Sequence, residues 1–279
     1  MIKYILLFIF AFLSGCASNS PEERIHHANA LVAQHGWVGE QLPTGIFTLA
    51  AYMPAAVRHA EHLTIYFEGD GQAYLSISQP SDDPTPKNPV ALTLAVRHPN
   101  HAVAYLARPC QYVRSTDAAC QQSYWTEKRF APEVIAASHR AVEVLKQRFG
   151  ARDLTLVGYS GGGAVAALVA AGRNDVVRLV TVAGNLDHQA WTQSKRVSPL
   201  TGSLNPADFW QQLKRIPQVH LVGEKDQIME LEFAESYRAR FPSWQQPKIV
   251  VVSEFDHHCC WARDWGGLMT QFVLDDVRQ

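Results

Sequence analysis

Ser160 lies in Gly158-Tyr159-Ser160-Gly161-Gly162, a G-x-S-x-G pattern at the point where the apolar run "DLTLVGYS" gives way to the Gly/Ala-rich "GGGAVAALVAAGR". A strand turning sharply into a helix crowds any Cβ beside the serine, which accounts for the flanking glycines, and it lifts the hydroxyl above the sheet edge. The N-terminus of the helix that follows favours negative charge developing there. A phosphate-binding loop fits poorly, because no lysine follows the glycines. A serine hydroxyl becomes a useful nucleophile only when a histidine, oriented by a carboxylate, takes its proton. Both are on offer downstream: Asp226 in "HLVGEKDQI" and His257 in "IVVVSEFDHH", each just beyond an apolar run and in the order Ser, Asp, His.

The stretch "SEFDHHCCWARDW" also invites a metal reading, because His257, His258, Cys259 and Cys260 are consecutive. Zinc ligands usually come in pairs two to four residues apart, so that both point inward. Four in a row cannot readily converge on one tetrahedral ion, and no second pair with suitable spacing lies nearby. No metal is expected, and the serine chemistry requires no cofactor. Two other carboxylates compete for the acid role. Asp187, in "AGNLDH", follows the preceding apolar run and is the rival of Asp226, whereas Asp256 adjoins His257 and is badly placed to orient its ring.

These groups need a scaffold that brings strand ends together. The sequence has 279 residues, 47% hydrophobic and 18% charged, typical of a chain with a buried core. Its net charge of -1 and the lack of a basic stripe argue against nucleic acid as a partner. The runs "GIFTLAAYMP" (45–54), "HLTIYFEGDG" (62–71) and "AVAYLARPC" (102–110) read as strands, the first as an early antiparallel one. From Pro132 to Gly150, the apolar stripe Val134, Ala137, Ala141, Leu145 and Phe149 predicts a helix with proline at its start and glycine at its stop. "VVRLVTVAG" (176–184), "QVHLVGEKD" (218–226) and "KIVVVSEFD" (248–256) are further strands, with a helix in "MELEFAESYRARF" between the last two. Near-continuous apolar strands alternating with helices predict an α/β fold, a mostly parallel sheet with helices on both faces. The segment 185–213 exceeds a plain connection and could hold a small cap, with Asp187 and Asn185 lining the pocket or holding that cap. Trp191, Trp210, Trp261 and Trp265 are expected chiefly in core packing.

The serine turn, the Asp loop and the His loop together resemble the α/β-hydrolase superfamily, specifically an exported bacterial esterase-like lipoprotein, over residues 45–279. The resemblance implies a Ser160–Asp226–His257 triad that cleaves an ester or other acyl bond through an acyl-enzyme, with a small-molecule or lipid-like acyl substrate. It also places the base directly after Asp256, which selects His257 over His258. Of the two oxyanion donors, one is the N–H of Gly161. The other corresponds to the family's His-Gly turn and falls on Asp70, with Gly71 as the alternative; Glu68 stands where many relatives carry histidine. The same triad could serve a peptidase or an acyltransferase, and a scaffold of this type could instead bind a partner without catalysis.

The first residues, "MIKYILLFIFAFLSGCAS", carry a lysine, an apolar run too short to span a bilayer and then small residues. This reads as an export signal over 1–15. "LSGC" resembles the bacterial lipoprotein box, which implies lipid on Cys16 and an anchor in the cell envelope. Ala17 after the cysteine implies the outer membrane, with the protein facing the periplasm. Residues 16–44 would then be tether and a short helix. In an oxidising compartment the remaining four cysteines suggest disulfides. Cys110 and Cys120 bracket a polar loop and are expected to pair, leaving Cys259 and Cys260 either joined or both free; crossed pairings remain open.

Overall fold

Apolar strands and helices alternate along the chain and assemble around one eight-stranded sheet in a computed structural model, which describes residues 20–57, 59–100, 102–113 and 117–274. In chain order come α1 (Pro21–Gln34), β1 (Trp37–Pro43), β2 (Thr48–Pro54), β3 (His62–Phe67), α2 (Val90–Val96), β4 (Val103–Leu106) and α3 (Pro132–Phe149). They are followed by β5 (Asp153–Tyr159), α4 (Gly161–Ala171), β6 (Val176–Val182), α5 (His188–Lys195) and α6 (Trp210–Leu213). The last elements are β7 (Gln218–Gly223), α7 (Leu231–Arg238), β8 (Lys248–Val252) and α8 (Trp261–Met269). The strand order is β1-β2-β4-β3-β5-β6-β7-β8, antiparallel at β1/β2 and β2/β4 and parallel everywhere else.

The two-residue period of the strands divides the core between the faces. Leu63, Ile65 and Phe67 of β3 join Leu154 and Leu156 of β5 on the side of α3 and α4. Tyr66, Val157 and Tyr159 point the other way, towards residues of α1, α2 and α8. Both faces are thus covered, which is why these strands read as unbroken apolar runs. Val134, Ala137, Ala141, Leu145 and Phe149 form the buried stripe of α3, with Pro132 in its first turn and Gly150 in the left-handed conformation at its end. Trp261 and Trp265 are fully buried, in packing as expected.

One boundary moves. β1 lies within the expected tether of 16–44, yet it is paired residue by residue with β2 from Trp37/Pro54 to Pro43/Thr48. The sheet therefore starts before residue 45. α1 is docked as well. Ser20 accepts from the Glu23 N–H while the Glu23 carboxylate accepts from the Ser20 N–H, and Arg24 is buried with its guanidinium on the Thr85 and Asp83 carbonyls. Cys16 and the whole of 1–15 lie outside the described residues. Among the described residues, no helix is long and apolar enough to cross a membrane.

Candidate active site

The β5–α4 turn carries Ser160 with φ 51°, a left-handed conformation that costs a non-glycine residue energy and must be imposed by its surroundings. Its N–H donates to the Val182 carbonyl at 2.9 Å, and its own carbonyl accepts from Gly163 at 2.9 Å and Asn185 at 3.0 Å. The flanking glycines are needed for close approach. A Cβ on Gly158 would strike the Gly162 backbone, and one on Gly162 would strike the carbonyls of Phe67 and Glu68.

Two loops at the same sheet edge meet this turn. Asp226, just past β7, is buried, and its Oδ1 accepts from the N–H groups of Ile228 and Met229, both at 2.8 Å. Its Oδ2 lies 2.9 Å from His257 Nδ1, and His257 Nε2 lies 3.1 Å from Ser160 Oγ. Burial pushes the Asp226 carboxyl up. The hydrogen bond and charge of His257, with the two backbone donors, outweigh that and hold it below the ordinary carboxylate range. An ionised Asp226 only accepts, so Nδ1 bears the proton and Nε2 is free to accept from the serine.

The loop after β3 lies against the serine, with Gly69 packed so closely that an added Cβ would sit 3.3 Å from the Ser160 Cβ. Three sets of contacts fix this loop. The Asp70 carboxylate pairs with Arg129 at 2.5 Å and Arg108 at 3.2 Å; burial pushes it up, but the two arginines outweigh this and keep it low. Gln111 donates to the Gly69 carbonyl at 2.9 Å and accepts from the Arg108 N–H at 3.0 Å. Glu68, fully buried, accepts from Gly69 (3.0 Å), Ala91 (3.3 Å), Leu92 (3.4 Å) and the Tyr105 hydroxyl (3.1 Å). Burial raises its pKa to about 7 in spite of these donors. Gly161 opens α4, so its N–H is one of the helix-end donors without an intrahelical partner.

No family model and no curated protein matches the sequence. Solved structures do match. An alpha-beta serine hydrolase homologue from Coxiella burnetii superposes with a TM-score of 0.59 at 14% identity, over 85% of this chain and 97% of that one. Est1E from Butyrivibrio proteoclasticus gives 0.59 at 13% identity, over 86% and 99%. The alpha/beta hydrolase GrgF from a Penicillium species gives 0.61 at 14% identity, over 87% and 98%. The chain has the α/β-hydrolase fold.

Within this α/β-hydrolase fold the rival residues lie elsewhere. Asp187, the alternative acid, is buried and committed to Ala190, Asn205, Ser236 and, at 3.6 Å, Arg240. It caps α5, and Asn185 holds the serine turn; neither lines the cavity at Ser160. Asp256 turns back onto the N–H groups of His258 and Cys259, both at 2.7 Å. His258 stands edge-on to His257, its ring at 86° to that of His257, and lines the same cavity. The Tyr159 hydroxyl donates its one proton to the His257 carbonyl (3.0 Å), so it must accept from His258 Nδ1 (3.1 Å). Trp261 Nε1 adds bonds to the carbonyls of Asp256 and His257. The cavity beside Ser160 measures about 310 Å3. Residues 185–213 contribute nothing to its lining, so the expected cap does not cover the site; α5 packs on α7, and α6 on α4.

Cys110 and Cys120 are joined, closing the loop that carries Gln111, and Cys259 is joined to Cys260. Among the described residues, no group of three or more His, Cys, Asp or Glu is arranged to hold a metal ion. The supports of the β3 loop, namely Arg108, Arg129 and Gln111, were not expected. For Arg108 a signal existed, since it sits two residues past β4 at the sheet edge where ligands gather in such folds.

Proposed function

We propose that this protein is a serine hydrolase that cleaves an ester or related acyl bond through an acyl-enzyme. The observation that carries the reading is the unbroken hydrogen-bonded chain Asp226–His257–Ser160, with links of 2.9 and 3.1 Å. Ser160 Oγ attacks the substrate carbonyl while His257 Nε2 takes its proton, and ionised Asp226 stabilises the imidazolium. The oxyanion forms next to Gly161 at the α4 N-terminus and receives that N–H together with the N–H of Asp70, or of Gly71. His257 then returns the proton to the leaving alcohol, and water releases the acyl group by the same steps in reverse. Each residue conducts the reaction from a position set by a strand end. The names of similar structures, among them a membrane phospholipase A and an esterase domain from Rhodothermus marinus, support carboxylic-ester chemistry.

The proposal includes an envelope location with lipid on Cys16, supported by "LSGC" after a short apolar run. A fluorophosphonate tests the chemistry. Covalent labelling at Ser160, absent from Ser160→Ala, is the expected result. Intact protein that stays unlabelled would leave a binding scaffold as the better reading.

A further inference from the structure

The cavity beside Ser160, at about 310 Å3, is at the small end of ligand pockets. Among the described residues its lining includes no Leu, Ile, Val, Met or Phe side chain. Away from the triad and the β3 loop its walls are Gln72, Lys87, Asn88 and His258, with Tyr74, Pro86 and Tyr159 as the apolar surface. A long acyl chain gains about fourfold in affinity per methylene when it leaves water for apolar walls. Amide, ammonium and imidazole walls return no such gain, because they must shed their own water to admit the chain.

One atom in this wall asks for a partner. Gln72 Oε1 is buried and has no donor in the protein. A buried acceptor without a donor is costly, so a small turn of the Gln72 amide into the cavity, where a ligand hydroxyl can donate to it, is favoured. Tyr74 stands partly exposed at the rim with the Arg129 guanidinium 5.9 Å from its ring centroid, so it offers a supported aromatic surface. Amide side chains beside an aromatic ring suit a hydroxyl-rich ring better than an alkyl chain.

We infer that this site takes esters of a short acyl group, two to four carbons, on a hydroxyl-rich, carbohydrate-like alcohol, with Gln72 accepting a hydrogen bond from that alcohol. The inference rests on the serine-hydrolase reading above. The neighbouring loop points to the competing substrate: Leu75 and Ile77 are 56% and 94% exposed, and they would suit a lipid surface. Neither lines the cavity.

The full-length protein would be assayed on p-nitrophenyl esters of two, four, eight and twelve carbons, and on mono-O-acetyl glucose against ethyl acetate. The expected kcat/KM falls at least tenfold from four carbons to eight, and the acetyl sugar exceeds ethyl acetate at least tenfold. Gln72→Leu should lower that sugar preference about fivefold, mainly through KM. A maximum at eight or twelve carbons overturns the inference and makes a lipid surface the partner. Equal turnover of acetyl sugar and ethyl acetate overturns the choice of alcohol, and the wild-type measurements stand even if the variant does not fold. Fluorophosphonate labelling separates the two failures. Labelled Ser160 without turnover of any short ester sinks this inference alone, whereas unlabelled Ser160 sinks the hydrolase reading beneath it.

Discussion

His257 and His258 are neighbours in sequence with different surroundings, and one measurement separates them. His257→Ala removes the imidazole hydrogen-bonded to Ser160, so kcat on an activated ester should fall by on the order of 10⁴–10⁶-fold. His258→Ala removes a bond to Tyr159 and should cost less than about tenfold. The reverse ranking would transfer the base role. Glu68 supports a prediction of another kind. Its pKa, raised from 4.5 to about 7 by burial, means that the folded state holds the proton more tightly than the unfolded chain. Stability from this group is therefore complete below about 4.5 and is lost as pH rises through about 7, by on the order of 3 kcal/mol. Glu68→Gln should flatten that fall, as seen in denaturant unfolding at pH 5 and pH 8; parallel curves for the two proteins would refute it. That Ser160, Asp226 and His257 would meet could be read in advance because each requirement is local: a tight turn, a strand end, a sequence order. The pairing of Asp70 with Arg108 and Arg129 could not, since no turn pattern and no fixed order of residues announces an ion pair that braces a loop.

At the scale of elements, the strands under the site were legible because both of their faces are buried and their apolar runs are unbroken. β1 was not. Its sequence, WVGEQLP, mixes glycine, charge and amide, and only Trp37 and Leu42 are buried, as an edge strand allows. α2, seven residues of VALTLAV, carries no helical period to read, and the segment 185–213 packs against the helices instead of closing over the serine. The Cys110–Cys120 loop yields a test at this level. It holds Gln111 against the Gly69 carbonyl, and its closure should contribute about 2–3 kcal/mol. Cys110→Ser with Cys120→Ser should lower Tm by several degrees and also reduce kcat, because the β3 loop loses a brace. Calorimetry with ester kinetics checks both; an unchanged kcat would free the loop from any part in catalysis.

For the molecule as a whole, the test concerns where it is held. Cys16→Ala should move the protein from the membrane fraction to the soluble one, and mass spectrometry of the first peptide should find lipid on the wild type only. Unchanged fractionation, with an unlipidated Cys16, would count against the anchor. If that anchor exists, the docking of α1 changes what it does. From Cys16 to Ser20 the backbone can extend at most about 14 Å. Beyond it the chain is a capped helix clamped through Arg24 onto Thr85 and Asp83. Those residues directly precede Pro86, Lys87 and Asn88 in the cavity wall, and Thr85 Oγ1 also accepts from the Tyr112 N–H of the disulfide loop. Lateral drag on the lipid would then travel as tension through Arg24 into one side of the cavity, so that the leash and the wall form a single mechanical lever.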